Sequence, residues 1–195
     1  GERAVCPQND VMERSVKRGE ALVLGPTTTR THVWTHLSEK WAGESGFGMY
    51  ADAMMELGGL VGKMLKKVDD RGIADNTIVL FTSDNGAEVF TWPDGGTTPF
   101  RGEKATTWEG GFRVPCIVRW PGVIKPGTVI NDIFSHQDWL PTFLAAVGEP
   151  DINEKLLKGH KADGKTFKVH IDGYDQTALL KGEGPSARKE VFYIT

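Results

Sequence analysis

Residues 73–86 read IADNTIVLFTSDNG, and this stretch joins an apolar, β-branched run to a polar end. The run at residues 77–82 is typical of a strand that is buried on both faces of a parallel sheet. Residues 83–86, SDNG, end that strand. Because open α/β sheets bind ligands at the carboxyl ends of their strands, the stretch predicts an α/β fold with Asp84 and Asn85 where ligands usually bind.

The segments on both sides of this strand predict the same fold class. Apolar residues recur at three- and four-residue steps over residues 50–71, which predicts an amphipathic helix that ends at Gly72. Residues 114–120 predict a second strand, at a sheet edge or a bulge because it contains Pro115. Residues 138–147 predict another helix. Together these segments predict an α/β domain with a mostly parallel sheet flanked by helices.

The two ends of the chain are less regular. Residues 1–29 are charged and polar, and only residues 21–24 predict a strand there. The C-terminal part is rich in loops, with a short helical piece at residues 179–180 and the start of a strand at residues 191–194. We therefore predict one domain over residues 30–195 that is incomplete at both ends.

Composition narrows the class of partner. The chain is 39% hydrophobic and 25% charged, which is ordinary for a globular protein. Its net charge of −3 and its lack of long runs of one sign disfavour nucleic acid and acidic membrane surfaces as partners. No apolar run approaches the about 18 residues of a membrane span. Cys6 and Cys116 could form one disulfide, but they make neither a disulfide framework nor a zinc site.

Asp84 and Asn85 are candidate metal ligands. A carboxylate and an amide oxygen side by side are hard donors, which suit Ca²⁺ or Mg²⁺. By itself, an Asp-Asn-Gly sequence after a strand more often forms a turn than a metal site. The loop that follows, residues 87–111, is long for a compact domain, and loops of that length tend to carry function.

Lys104 lies near the end of that loop, within the segment RGEKATTWEGG at residues 101–111. Glycines on both sides let the backbone approach a ligand, and the ammonium group can bind an anion as a point charge. A single loop lysine is normally solvated. The combination of strand, SDNG, long loop and G-x-K-x-x-x-W-E-G-G is far more specific than either half.

From about residue 30 to residue 193, the sequence resembles the formylglycine-dependent sulfatases of the alkaline phosphatase superfamily. The resemblance lies in IADNTIVLFTSDNG, TPFRGEKATTWEGGFRVPCIVRWPG, DWLPTFLAAVG and IDGYDQTALLKG. It implies hydrolysis of a small-molecule or glycan sulfate ester, and a periplasmic, lysosomal or secreted location. It also implies that Asp84 and Asn85 bind a divalent cation, commonly Ca²⁺, and that Lys104 contacts the sulfate and stabilises the leaving oxygen.

The resemblance further implies a catalytic histidine shortly before the amphipathic helix. His32 and His36, in the segment THVWTH, are the candidates. His32 fits better by its distance from the preceding TTR, and either one could instead be a surface or packing histidine.

The sequence also departs from the family. The family nucleophile is a formylglycine made from the cysteine of C-x-P-x-R, a motif that this sequence lacks. Cys6 is followed directly by Pro7, and Asp10 stands where the arginine is required, while Cys116 lies in a predicted strand. Two aspartates that complete the metal site in the family are also missing, and residues 1–29 do not follow the family. We therefore expect a partial chain that turns over no sulfate ester by itself.

Two other functions are compatible with the same residues. Phosphate ester hydrolases share the architecture, but they use a serine or threonine nucleophile with two metals, and the single-cation loop favours sulfate. The second alternative is an inactive remnant that binds anions or glycans, and the missing nucleophile favours it. The presence of Asp84, Asn85 and Lys104 together argues against it.

Overall fold

The computed structural model of the protein describes residues 2–28, 30–33 and 35–194, with side chains from residue 10 onward. The chain divides into two compact units, Gly1–Ala74 with Thr82–Pro115 and Asp75–Phe81 with Cys116–Thr195. The helices and strands in chain order are α1 (Glu2–Arg18), α2 (Met49–Asp70), β1 (Val79–Thr82), α3 (Glu109–Phe112), β2 (Cys116–Arg119), α4 (Trp139–Ala146), α5 (Ile152–Lys158), β3 (His160–Ala162), β4 (Lys165–Phe167) and α6 (Thr177–Lys181). Among the described residues, no helix is both long and apolar enough to cross a membrane.

Helix α2 confirms the predicted amphipathic helix and is the main element of the first unit. Its buried residues recur at helical spacing and are Asp52, Ala53, Glu56, Leu60 and Val68. The chain leaves the helix at Gly72, which has a φ of 64° and donates its N–H to the carbonyl of Asp69 at 2.9 Å. Glycine adopts this left-handed conformation without steric cost, so the predicted helix end is also confirmed.

Helix α1 was not predicted, and the prediction of a strand at residues 21–24 is wrong. Residues 19–28 of the described chain form no helix or strand, because the short apolar run has no neighbouring strand to bond its backbone. Met12 and Ser15 are buried on one face of α1. The carboxylate of Glu13, on the same helix, forms an ion pair with Lys67 of α2, with 2.9 Å between Oε1 and Nζ.

Strand β1 confirms the predicted strand, but the prediction that it is buried on both faces is wrong. Each of its residues is only half-buried. Among the described residues, β1 has β2 as its single neighbouring strand, so one of its edges pairs with no strand. The described sheets have two strands each, β1–β2 and β3–β4. The mostly parallel sheet of the predicted α/β class therefore stays a prediction.

Helix α4 confirms the predicted helix of the second unit. Pro141 lies in its first turn, where the missing N–H costs no helical hydrogen bond, and Gly148 follows its end with a φ of 94°. Helix α6 confirms the predicted helical piece. The hairpin β3–β4 was not predicted, although its turn, Asp163–Gly164, has positive φ at both residues and is a common two-residue hairpin turn. Residues 191–194 form no strand, so that prediction is wrong.

A buried polar cluster, formed by Asp138, Thr142, Gln176 and Arg188, joins the elements of the second unit. The carboxylate of Asp138 is fully buried and accepts hydrogen bonds from Arg188 Nη2 at 2.8 Å and Gln176 Nε2 at 3.2 Å. The backbone N–H groups of Ser135 and Tyr174 add one hydrogen bond each at 2.9 Å. Burial alone would raise the pKa of Asp138, but these hydrogen bonds outweigh it and hold the pKa below its usual value.

Candidate active site

Asp84 and Asn85 follow the end of β1 after one intervening residue, Ser83, as predicted. The end of the strand is held by a hydrogen bond from Thr82 Oγ1 to the carbonyl of Pro115 at 2.9 Å. Asp84 is exposed, and its carboxylate makes no hydrogen bond or ion pair with any residue that the structure describes. Asn85 is half-buried and donates its Nδ2 to the carbonyl of Gly86 at 2.9 Å, so its side-chain oxygen is left as an acceptor. The carboxylate of Asp84 and the side-chain oxygen of Asn85, which are adjacent in the sequence, are thus available as metal ligands.

These two oxygens suit a hard cation but do not complete a site. Calcium takes six to eight oxygen ligands, and magnesium requires six in a near-octahedral arrangement. Among the described residues, no group of three or more His, Cys, Asp or Glu side chains is arranged to hold a metal ion. The donor chemistry of Asp84 and Asn85 therefore fits Ca²⁺ or Mg²⁺, with further ligands still required.

The loop that follows is closed at its base by four glycines, Gly86, Gly102, Gly110 and Gly111, which we call the glycine clasp. Gly86 donates its N–H to the carbonyl of Gly111 at 2.9 Å, and Gly110 donates to the carbonyl of Arg101 at 2.7 Å. A Cβ on Gly86 would lie 1.8 Å from the carbonyl oxygen of Gly110, and a Cβ on Gly110 would lie 2.2 Å from that of Gly102. In this structure the glycines let backbone segments approach one another, whereas the sequence suggested approach to a ligand.

Lys104 is held next to the segment that carries the two metal-ligand candidates. Its backbone N–H donates to the carbonyl of Ala87 at 2.8 Å, two residues after Asn85. Its ammonium lies 3.3 Å from Glu88 Oε2, and the two side chains are 28% and 19% exposed. Lys104 is therefore not a solvated loop lysine.

Sequence reasoning missed Glu88. Its carboxylate binds Lys104 through one oxygen and accepts a hydrogen bond from Thr91 Oγ1 at 3.0 Å through the other. The two partners of the ion pair are separated by 16 positions in the chain. No periodicity or turn chemistry relates residues so far apart, and only the acidic residue close behind SDNG could have suggested it.

His32 and His36 lie in a segment that Arg30 joins to α2 through hydrogen bonds. Arg30 donates to the backbone carbonyl of His36 through Nη1 and to Glu56 Oε1 at 2.7 Å through Nη2, and this ion pair is buried. Both histidines are exposed. Thr35 Oγ1 donates to the carbonyl of His32 at 2.7 Å, which shapes the turn between the two histidines.

The structure joins only part of the predicted site by direct contacts. Lys104 donates its backbone N–H to Ala87, the residue that follows the SDNG segment. Among the described residues, no hydrogen bond or ion pair joins His32 or His36 to Asp84, Asn85 or Lys104. The catalytic roles and the choice between the two histidines stay predictions. Cys116 is a free, exposed thiol, and the side chain of Cys6 lies outside the described residues.

Comparison with known proteins matches residues 14–149 to the family Sulfatase. Arylsulfatase A of Homo sapiens is 34% identical over 186 residues, which are 95% of this chain and 34% of that protein. Steryl-sulfatase of Rattus norvegicus is 35% identical over an alignment of 198 positions, gaps included, that covers 98% of this chain and 32% of that protein. The crystal structure of the PsFucS1 sulfatase from Pseudoalteromonas sp. matches with a TM-score of 0.79 and 31% identity, over 92% of this chain and 34% of that one. The chain spans about a third of the length of the curated relatives it matches.

Proposed function

Since the chain belongs to the sulfatase family, we propose that the full-length protein hydrolyses sulfate esters of small molecules or glycans. Its likeness to the PsFucS1 structure confirms a sulfatase-like fold. The observation that carries the proposal is the position of Lys104. Its backbone N–H donates to the carbonyl of Ala87, so a cationic side chain and two candidate oxygen ligands come from adjoining segments of one loop.

In this proposal the chain's own residues bind and neutralise the sulfate group. Lys104 contacts the sulfate and stabilises the negative charge that develops on the leaving oxygen. Asp84 and Asn85 donate oxygens to a divalent cation, Ca²⁺ or Mg²⁺. When bound, such a cation supplies positive charge and Lewis acidity at the sulfate oxygens. Preorganised charges of this kind act strongly because they need no rearrangement during the reaction.

A histidine completes the proposed chemistry on this chain. His32, or His36 in its place, would donate a proton to the leaving oxygen as general acid. The family resemblance implies a formylglycine nucleophile, and neither Cys6 nor Cys116 lies in the motif from which that group is made. We therefore test the proposal on the full-length protein.

Replacing Lys104 by alanine tests the proposal. In the full-length protein, Lys104→Ala should lower kcat for a chromogenic aryl sulfate by about 100- to 1000-fold, the usual cost of one preorganised contact to the transition state. The matched control is Lys158→Ala, because Lys158 is also paired with a glutamate but is 79% exposed. The control should keep parental turnover. Near-parental turnover of Lys104→Ala would refute the proposed role.

Two further measurements separate sulfate hydrolysis from the alternatives. The full-length protein should hydrolyse an aryl sulfate faster than the matching aryl phosphate, and the opposite preference would favour a phosphate ester hydrolase. Removal of divalent cations by a chelator should abolish turnover, and added Ca²⁺ should restore it. Asp84→Asn should need more Ca²⁺ for the same recovery, since a neutral amide is a weaker ligand for a hard cation than a carboxylate.

A further inference from the structure

We infer that Glu88 is a positioning residue for Lys104, an inference that rests on the proposed function of that lysine. The ammonium of Lys104 lies 3.3 Å from Glu88 Oε2, and both side chains are largely shielded from solvent. Within the described residues, Glu88 is the ion-pair partner that the structure gives to Lys104.

Glu88 is itself held on several sides. Its second carboxylate oxygen accepts the hydroxyl of Thr91 at 3.0 Å, and its backbone carbonyl accepts the N–H of Trp92 at 3.1 Å. The preceding residue, Ala87, binds the backbone of Lys104 at 2.8 Å. The Glu88 carboxylate is therefore a fixed acceptor for the ammonium of Lys104, while the carbonyl of the preceding residue, Ala87, holds the backbone of Lys104.

This arrangement suits a lysine that must meet an anion. A free lysine side chain has many rotamers, and ordering it at the moment of binding costs conformational entropy. An ammonium group has three N–H donors. Glu88 takes one of them and leaves two for the oxygens of a bound sulfate. The contact thus orders the lysine before the substrate arrives and keeps donors available.

Chemical labelling tests the contact without relying on turnover. The full-length protein is treated with limiting acetic anhydride, and acetylation of each lysine is followed by mass spectrometry. Glu88→Gln should raise the labelling rate of Lys104 by up to about fivefold, the fold-change expected for loss of a partly exposed ion pair. Glu154→Gln, which removes the carboxylate beside Lys158, is the matched control and should leave the Lys104 rate unchanged. An unchanged Lys104 rate in Glu88→Gln would overturn the inference.

A double-mutant cycle tests whether the contact matters for turnover. Glu88→Ala should lower kcat for an aryl sulfate by about tenfold, less than the about 100-fold that a 1 Å misplacement of a reacting group can cost. In a Lys104→Ala background the same substitution should change kcat by less than about twofold, because the interaction is already absent. Glu88→Gln keeps an oxygen acceptor for the ammonium and should recover part of the loss.

The outcomes separate the inference from the proposed function. An equal loss in both backgrounds would mean that Glu88 only stabilises the loop, which overturns the inference while leaving the role of Lys104 intact. If the parental protein hydrolysed no aryl sulfate, the proposed function would fail, and the labelling rates alone would decide whether Glu88 holds Lys104.

Discussion

Replacing Asp138 by asparagine should destabilise the protein by about 3 to 5 kcal/mol, the usual cost of breaking a buried ion pair from one side. Asp138 is fully buried and Arg188 is 8% exposed, so water cannot replace the lost partner. Among the residues that the structure describes, each hydrogen bond to the carboxylate comes from an N–H donor on Ser135, Tyr174, Gln176 or Arg188. The NH₂ group of an asparagine donates hydrogen bonds and cannot accept them, so it would face these N–H groups without forming a bond.

Urea unfolding followed by tryptophan fluorescence measures this loss. With an m-value of about 2 kcal/mol per molar, the midpoint should fall by about 2 M. The matched control is Glu154→Gln, which breaks an ion pair at 3.6 Å whose side chains are 75% and 79% exposed. That exposed pair should contribute less than about 1 kcal/mol. A stability loss in Asp138→Asn as small as that of the control would refute the reasoning.

A double variant tests whether the cost comes from the unpaired arginine. Arg188→Met alone leaves the Asp138 carboxylate buried without its cation, and it should also cost about 3 to 5 kcal/mol. Asp138→Asn combined with Arg188→Met should cost clearly less than the sum of the two single variants, because neither buried charge remains. Strict additivity would show that the two side chains do not act as a pair.

The remaining predictions concern pH and the glycine clasp. Because the pKa of Asp138 is lowered on folding, its contribution to stability is complete above the unfolded pKa of about 3.9 and disappears as the pH falls through the lower folded value. Urea midpoints measured from pH 6 to pH 2.5 should therefore show the cost of Asp138→Asn shrinking below about pH 4. Gly110→Ala should destabilise by about 1 to 3 kcal/mol in the same assay, since its Cβ would lie 2.2 Å from the carbonyl oxygen of Gly102. Gly58→Ala on α2, with no atom within 4 Å of the added Cβ, should instead stabilise by about 0.5 to 1 kcal/mol.

Local patterns were enough to predict the elements whose stability is decided nearby. Helix α2 follows from apolar residues at helical spacing, and its end follows from Gly72, which takes the left-handed conformation that stops a helix. Helix α4 follows from Pro141 in its first turn. In each case the deciding interactions lie within a few residues of the chain, where sequence periodicity and backbone preferences act.

The parts that could not be predicted depend on contacts between distant positions. Asp138 meets Gln176 and Arg188 across 38 and 50 positions, and no local pattern connects them. The same holds for Glu88 and Lys104. Residues 21–24 are apolar, but a strand forms only where another strand bonds its backbone, and that partner is not encoded locally.

The two ends of the loop after β1 meet at the hydrogen bond from Gly86 to Gly111, which has a consequence for how such a protein can diverge. Because this hydrogen bond fixes both ends of the loop, the residues between them can change in number without moving the ends. Adding four residues to a loop of about 24 costs only about 0.1 kcal/mol in closure entropy. Gly96 is exposed, and no atom lies within 4 Å of an added Cβ there. An insertion after Gly96 would lengthen the chain between Asp84 and Lys104 but should leave their positions in space unchanged. Length variation at this position can therefore reshape the outer part of the loop while the charged groups at its base keep their places.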